Sequence, residues 1–189
     1  MELFADIDQN LLFWIQNNMV TSTLDPYMLL LSHVGNIGLI WIVWAIFLLC
    51  IKEYRVTGIA ILLGLLISLT LGNGILKPSL ARLRPYIIYS WIPSDIVVSL
   101  PTDYSFPSGH AFGSFSAATI IFCRNKYWGI FALILALGIG FSRVYLFLHY
   151  PSDMLGGMLL GILCGIFTYK TVHHLSISPP WHKNKFNGN

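Results

Sequence analysis

The segments KPSLARLRP (77–85), PSGH (107–110) and SRVYLFLHYPSD (142–153) are three polar stretches in an otherwise strongly apolar chain. They supply cations, two histidines, one carboxylate and a glycine at a predicted helix start. Each stretch lies at the end of an apolar run, where a membrane span of about 20 residues would meet water. This pattern predicts a phosphate-binding site at one end of a helical membrane bundle.

The composition indicates an integral membrane protein made of one domain, residues 1–189. The chain has 189 residues, of which 56% are hydrophobic and only 10% are charged, whereas a soluble domain carries roughly 25% charged residues. The net charge is +3, without the basic run that would indicate a nucleic-acid partner. We therefore expect the lipid bilayer to be the main environment of the chain. The sequence does not specify an oligomeric state.

Five apolar runs are long enough, or nearly so, to cross a bilayer, which predicts an all-α bundle of five transmembrane helices. The expected spans are 27–51, 56–76, 108–123, 127–147 and 152–172. The third run is short and rich in small residues, which suits a helix buried among other helices. The last run carries glycines at helical spacing, at 156, 157, 161 and 165, and these predict a close-packing face.

Residues 1–20 have a different character, because apolar side chains recur there with helical period and polar ones fall largely between them. Leu3, Ile7, Leu11 and Trp14 belong to the apolar set. The segment is too polar to span a membrane. It therefore predicts an N-terminal amphipathic helix that lies in the interface.

The basic residues predict the orientation of the bundle. With five alternating spans, one side carries seven of the eleven basic residues: Lys52, Arg55, Arg124, Lys126, Lys170, Lys183 and Lys185. The positive-inside rule assigns that side, with a tail at 174–189, to the cytoplasm. The three polar stretches then face outward, and 77–107 becomes an outer catalytic loop. We expect a multi-pass protein of a bacterial plasma membrane whose active site is extracytoplasmic.

The PSGH stretch has the properties of an anion site at a helix N-terminus. Ser108 is a natural N-cap, and Gly109 allows a ligand to approach the backbone closely. Free N–H groups in the first helical turn favour an anion, and His110 projects from the same turn. An ordinary capped helix start is the alternative for this tetrapeptide taken alone.

In the third stretch, Asp153 lies in the first turn of a helix that follows Pro151, four residues after His149. It can reach back to one imidazole nitrogen and leave the other free to attack a substrate. The alternative is a His–Asp pair that only ties a loop to a helix.

Lys77, Arg84 and Arg143 are cations suited to holding phosphate oxygens. The alternative for the first two is that they snorkel from a span end, and Arg82 is assigned to that role alone. The sequence has no carboxylate cluster for a metal pair. We therefore expect the protein itself to supply the positive charge for phosphoryl transfer, without a metal or other cofactor.

The motifs K-x6-R-P, P-S-G-H and S-R-x5-H-x3-D, in this order, resemble the tripartite signature of the type 2 phosphatidic acid phosphatase superfamily. The resemblance implies that His149 forms a phosphohistidine, Asp153 orients it, and His110 protonates the leaving oxygen and then activates water. It implies that Lys77, Arg84, Ser108, Gly109 and Arg143 hold the phosphate.

A membrane site and a small chain without an added soluble domain are similar to bacterial undecaprenyl pyrophosphate phosphatases, which recycle a cell-wall carrier lipid. We expect a lipid phosphate substrate, with undecaprenyl pyrophosphate first and phosphatidylglycerophosphate or phosphatidic acid as the alternative. Two other classes stay open. One is a lipid transporter or binding protein without chemistry, and the other is a proton or ion channel, suggested by His33 and Asn36 within the first span.

Overall fold

The computed structural model describes residues 2–89 and 100–177, and the side chains of 6–89 and 100–176. Regular structure within these ranges is helical throughout. The α-helices are α1 (Glu2–Met19), α2 (Asp25–Val34), α3 (Leu39–Cys50), α4 (Arg55–Leu69), α5 (Lys77–Leu80), α6 (Pro85–Ile88), α7 (Gly109–Arg124), α8 (Lys126–Tyr145) and α9 (Pro151–Ile177). A π-helical segment, Thr70–Leu76, joins α4 to α5.

Helix α7 is the centre of the bundle and packs against α4, α8 and α9. Every residue from 111 to 121 on this helix is buried. On α9, a Cβ added to Gly157, Gly161 or Gly165 would lie 2.6, 2.6 and 2.7 Å from carbonyl oxygens along α7, closer than real Cβ atoms approach. The predicted close-packing face of the last helix is thus confirmed.

Three helical stretches are long and apolar enough to cross a membrane: Lys52–Ile88, Lys126–Tyr145 and Pro151–Ser176. Helices α2 and α3 would make a fourth span as a bent pair, with an angle of 49° between them. Helix α7 has 16 residues and is enclosed by its neighbours. The expectation of several spanning helices is confirmed, while the count of five stays a prediction.

The segment expected as the first span, 27–51, is not one helix. A 3-10 turn, Asn36–Gly38, separates α2 from α3. Ile37 and Gly38 in this turn adopt positive φ values of 57° and 71°, a conformation that an isoleucine rarely takes. The break places the polar residues that precede it beside the motif-bearing end of the bundle.

Helix α1 packs on the same end of the bundle through one face. Leu12 and Ile15 are buried, whereas Trp14 is 55% exposed. The Gln16 side chain donates to the backbone oxygens of Val144 and Tyr145 at 3.3 and 3.1 Å. Helix α1 therefore docks where α8 ends. Its position relative to a bilayer stays a prediction.

The opposite end of the bundle joins the two basic turns. Arg124 donates to Glu53 at 2.8 Å, and its guanidinium lies 4.8 Å from the Tyr54 ring centroid. The expected outer loop 77–107 begins and continues with the helical turns α5 and α6. Residues 90–99 of that loop and residues 178–189 of the expected tail lie outside the described residues.

Candidate active site

The three polar stretches meet at one cavity of about 480 Å³. Its wall includes Lys77, Arg84, Gly109, His110, Arg143 and His149. Two further expected residues lie behind this wall, since Ser108 and Asp153 are fully buried and the Ser108 N–H donates to the Asp153 backbone oxygen at 3.1 Å. The structure therefore brings all eight predicted site residues into one region.

A short loop between α8 and α9 carries His149. The backbone oxygen of Arg143 accepts from the N–H groups of Leu148 and His149 at 3.0 and 3.2 Å, which fixes the path of this loop. The Arg84 Nη1 lies 3.0 Å from His149 Nε2. A guanidinium has no acceptor, so Nε2 must present its lone pair and Nδ1 must carry the proton. This is the tautomer that a nucleophilic Nε2 requires.

The link between His149 and Asp153 runs partly through a third residue. Nδ1 of His149 lies 3.5 Å from Asp153 Oδ2 and 3.3 Å from Ser105 Oγ. The Ser105 hydroxyl donates to Asp153 Oδ2 at 2.5 Å, so its oxygen is left to accept the Nδ1 proton. The expected His–Asp orientation is present in the geometry, with Ser105 as an additional bridge.

Burial keeps His149 neutral. The side chain is almost fully enclosed, and this loss of solvation lowers its pKa to about 3, against the opposing effect of Asp153 and with help from Arg84 and Arg143. An imidazole with so low a pKa is unprotonated throughout the neutral range.

The carboxylate of Asp103 binds two of the site's cations. Lys77 Nζ contacts Oδ2, and Arg84 Nη2 donates to Oδ1 at 2.6 Å. Burial alone would raise the pKa of Asp103, but Lys77 and Arg84 overcome it and lower the pKa to about 2. Asp103 is thus ionised at neutral pH and occupies the same N–H groups that a phosphate would use. Sequence reasoning missed it, because it lies inside the expected outer loop, 77–107, without a motif of its own.

Two buried polar atoms near the cavity have no hydrogen-bond partner among the described residues: Ser108 Oγ and Arg143 Nε. Ser108 occupies the N-cap position of α7, but its side chain makes no capping hydrogen bond, contrary to expectation. Arg143 uses Nη1 to contact Ser32 Oγ and keeps Nε unpaired. Because unpaired buried polar atoms are costly, both atoms are suited to a ligand with several acceptor oxygens.

His110 is held by a residue from the break between α2 and α3. Its Nε2 lies 3.0 Å from Asn36 Oδ1. Asn36, considered from sequence as a feature of a membrane channel, therefore contacts a site histidine. The glycines that flank it in the sequence were the available signal for a break at this point.

Arg82 corrects an expectation. It was assigned to snorkelling, yet it is only 30% exposed and donates to Asp153 Oδ1 at 2.6 Å and to Asp8 Oδ2 at 2.5 Å. Its position two residues before Arg84 was the only available signal. Within the described part of the chain, no group of three or more His, Cys, Asp and Glu side chains is arranged to hold a metal ion.

The PAP2 superfamily model matches residues 57–176. The chain belongs to the PAP2 superfamily. It is 36% identical over 151 residues to the undecaprenyl-diphosphatase of Sulfolobus acidocaldarius, covering 79% of this chain and 71% of that protein. It is 28% identical over 188 residues to the lipid A 4'-phosphatase of Bacteroides thetaiotaomicron, covering 93% and 81% of the two chains.

A solved structure agrees with the fold. The transmembrane PAP2-type phosphatidylglycerolphosphate phosphatase of Bacillus subtilis matches with a TM-score of 0.74 and 23% identity, covering 93% of this chain and 89% of that one. The predicted family and the predicted class, a phosphoric ester hydrolase, are confirmed. This PAP2 protein is also a multi-pass membrane protein.

Proposed function

We propose that this PAP2 protein hydrolyses undecaprenyl pyrophosphate to undecaprenyl phosphate and inorganic phosphate through a phosphohistidine. The observation that carries the proposal is the lone pair of His149 Nε2, set by Arg84, at the wall of a cavity lined with cations. A nucleophilic nitrogen beside several cations is what phosphoryl transfer to an enzyme side chain requires.

In the first step, His149 Nε2 attacks the terminal phosphorus and forms a P–N bond. The P–O bond to the bridging oxygen breaks, and its electron pair leaves with undecaprenyl phosphate, to which His110, in its protonated imidazolium form, gives a proton. In the second step, His110 takes a proton from water, the water oxygen bonds to phosphorus and the P–N bond breaks. Inorganic phosphate leaves and both histidines return to their starting states.

The charge that develops on the transferring phosphoryl group is met by protein groups. Lys77, Arg84 and Arg143 supply cations, and Gly109 N–H and the Ser108 hydroxyl supply neutral donors. Fixed donors of this kind stabilise the transition state because they need no reorganisation during the reaction. We accordingly propose a metal-independent mechanism that uses no other cofactor.

The apolar part of the cavity supports a lipid substrate. Ile37, Ile42, Leu62, Leu65, Leu66 and Leu69 line it together with the charged groups. Ile37 is 92% exposed and Leu66 55% exposed on the bundle surface, so this side of the cavity would open toward lipid. A prenyl or acyl chain can lie there while its phosphate reaches His149. The relationship to an undecaprenyl-diphosphatase favours the prenyl lipid.

We further propose that residues 1–189 form one membrane-embedded phosphatase domain in a bacterial plasma membrane. It would have five spans, with α1 lying in the interface and the cavity on the extracytoplasmic side. The support is the charge distribution, because the turns joined by Arg124 and Glu53 are basic and lie opposite the cavity, as the positive-inside rule requires of a cytoplasmic side.

The test is phosphate release by the purified protein from undecaprenyl pyrophosphate, phosphatidylglycerophosphate, phosphatidic acid and lipid A in matched detergent micelles. We expect the first to have the highest kcat/KM, and H149Q to release no phosphate while still binding the lipid. If undecaprenyl pyrophosphate is the poorest substrate, the substrate assignment is wrong. If H149Q retains phosphate release, the nucleophile assignment is wrong.

A transporter or binding protein would behave differently. It would bind the lipid phosphates without phosphate release from any of them. Acid-labile labelling of the wild-type protein by a 32P-labelled terminal phosphate, absent from H149Q, separates the two classes. Absence of labelling and release from the wild type would refute the proposed function.

A further inference from the structure

We propose that Arg82 and Asp8 are positioning residues which hold Asp153 toward His149, so that helix α1 becomes part of the active site. The inference deepens the proposed function and rests on it, because Arg82 acts here through Asp153 on the nucleophile. Arg82 is not among the residues that line the cavity, and its guanidinium donates to Asp153, Asp8 and Ser152, so we place it outside the phosphate-binding set.

The two oxygens of the Asp153 carboxylate have different hydrogen-bond partners. Oδ2 accepts from the Tyr150 N–H at 2.9 Å and the Ser105 hydroxyl at 2.5 Å, and it faces His149. Oδ1 accepts from Arg82 Nη1 at 2.6 Å, its one hydrogen bond within the described residues. Because Asp153 is fully buried, loss of Arg82 would leave a buried carboxylate oxygen unpaired, which is costly. The carboxylate would then turn away from His149 to find another donor.

The guanidinium of Arg82 is itself held in place by its neighbours. Asp8 of helix α1 accepts from Arg82 Nη2 at 2.5 Å, and Ser152 Oγ accepts from Nη1 at 2.7 Å. The guanidinium also lies over the Tyr150 ring, 4.0 Å from its centroid. These contacts restrict the guanidinium on both sides and direct Nη1 to Asp153.

Asp8 also binds helix α9 directly. Its Oδ1 accepts from the Ser152 N–H at 2.9 Å, and its Oδ2 accepts from the Ser152 hydroxyl at 2.5 Å. Asp8 is itself buried, with 5% of its side chain exposed. It therefore anchors the first turn of α9, which carries Asp153, and the arginine that pairs with Asp153. A residue at the start of the chain and a residue 145 positions later are thereby held in one network.

The experiment compares R82Q, R82K, D8N and the double variant R82Q/D8N with wild type, using the lipid phosphate that the wild type turns over fastest. R55Q is the matched control, since Arg55 is exposed and donates from Nε to the Leu49 backbone oxygen at the opposite end. Both kcat and KM are measured, with the thermal midpoint in the same detergent. A hydrogen bond to a charged group is worth about a ten- to hundredfold change in rate.

We expect R82Q to lower kcat by about ten- to hundredfold with KM within about threefold. R82K should recover much of kcat, because one cationic donor returns. D8N should lower kcat less than R82Q, and the double variant should be no slower than R82Q alone, as for residues that act in one unit. If R82Q does not fold, D8N decides the question: a lower kcat at nearly constant KM supports the positioning role, and a kcat equal to that of R55Q overturns it.

Three results would overturn the positioning role of Arg82 and Asp8. They are a kcat of R82Q near that of wild type or R55Q, a rise in KM alone, and additive effects of R82Q and D8N on kcat. An active wild type with an R82Q variant of equal kcat refutes the positioning role and leaves the proposed function standing. A wild type that releases phosphate from no lipid refutes both the proposed function and the positioning role, because Arg82 and Asp8 are proposed to act through that reaction.

Discussion

We predict that the carboxylate of Asp103 competes measurably with the substrate phosphate for the cations of the site. Its two oxygens occupy Lys77 and Arg84, which are the cations proposed to bind the phosphate. A phosphate oxygen must displace the carboxylate or share the same donors beside a like charge. Asp103→Asn removes the charge and keeps the size of the side chain, together with the backbone oxygen that accepts from Arg84 Nε at 2.7 Å.

The magnitude follows from the pKa of Asp103, which is lowered from 3.8 to about 2. Each pKa unit corresponds to about 1.36 kcal/mol, so the ionised form gains at most about 2.5 kcal/mol from its surroundings. The side chain is 45% exposed, and solvent screening reduces that gain to about 1 kcal/mol. A substrate or inhibitor freed from this competition should bind about fivefold more tightly.

The assay is inhibition of phosphate release by orthovanadate and by inorganic phosphate at fixed ionic strength. For D103N we expect both inhibition constants and KM to fall about fivefold, with kcat within about twofold of wild type. Because a lowered carboxyl pKa leaves the group ionised until the pH falls toward 2, the effect should be equal at pH 6 and pH 8. D6N is the control, since Asp6 is exposed and its loss makes the same change in net charge.

Two outcomes would refute this reasoning. Unchanged or weaker inhibition of D103N would mean that the carboxylate does not compete with phosphate. A large loss of kcat at constant KM would mean that Asp103 orients Arg84 for the reaction.

Three further predictions follow from His149, Ser105 and Gly161. The unfolded chain protonates His149 below its ordinary pKa of 6.5, whereas the folded protein does so only near 3, so the folded state loses stability as the pH falls between these values. The thermal midpoint of wild type in detergent should therefore fall more between pH 7 and pH 4 than that of H149Q; equal slopes would contradict the buried, neutral imidazole. S105A should lower kcat about tenfold with little change in KM, because the Nδ1 proton of His149 loses its nearer acceptor. A kcat equal to that of wild type would mean that Ser105 has no role in the reaction. G161V should destabilise the protein by about 2 kcal/mol or more, since its Cβ would meet the Phe112 carbonyl oxygen at 2.6 Å. The measurement is the thermal midpoint of G161V compared with that of L163V, a change at the exposed Leu163. Equal midpoints would count against close packing of α7 and α9.

The sequence allowed the meeting of distant motifs to be predicted, because membrane geometry limits where polar residues can go. His110 and His149 are 39 positions apart, yet both lie at helix ends that alternation of spans assigns to one side, and both line one cavity. The Arg82–Asp8 contact has no such signal. Neither motif spacing nor helical period relates an N-terminal helix to a particular arginine, since that pairing depends on how α1 docks. The break at Asn36–Gly38 was hidden for another reason, because the apolar run that contains it is long enough for one span.

The part of the chain before the family match bears on the geometry of both histidines. The PAP2 model begins at residue 57, whereas Asn36 contacts His110 and Ser32 contacts Arg143 from the α2 side. On the other side, Asp8 binds the arginine that pairs with Asp153. Helix α1 thus supports the His149–Asp153 pair, while α2 and the turn that follows it support Arg143 and His110. Because α2 also leads into Ile37 at the apolar side of the cavity, a lipid tail that displaces this turn would act on the His110 contact as well. Under the proposed function, the apolar turn that faces the lipid and the acid–base histidine are therefore joined by contacts from residues outside the family's motifs.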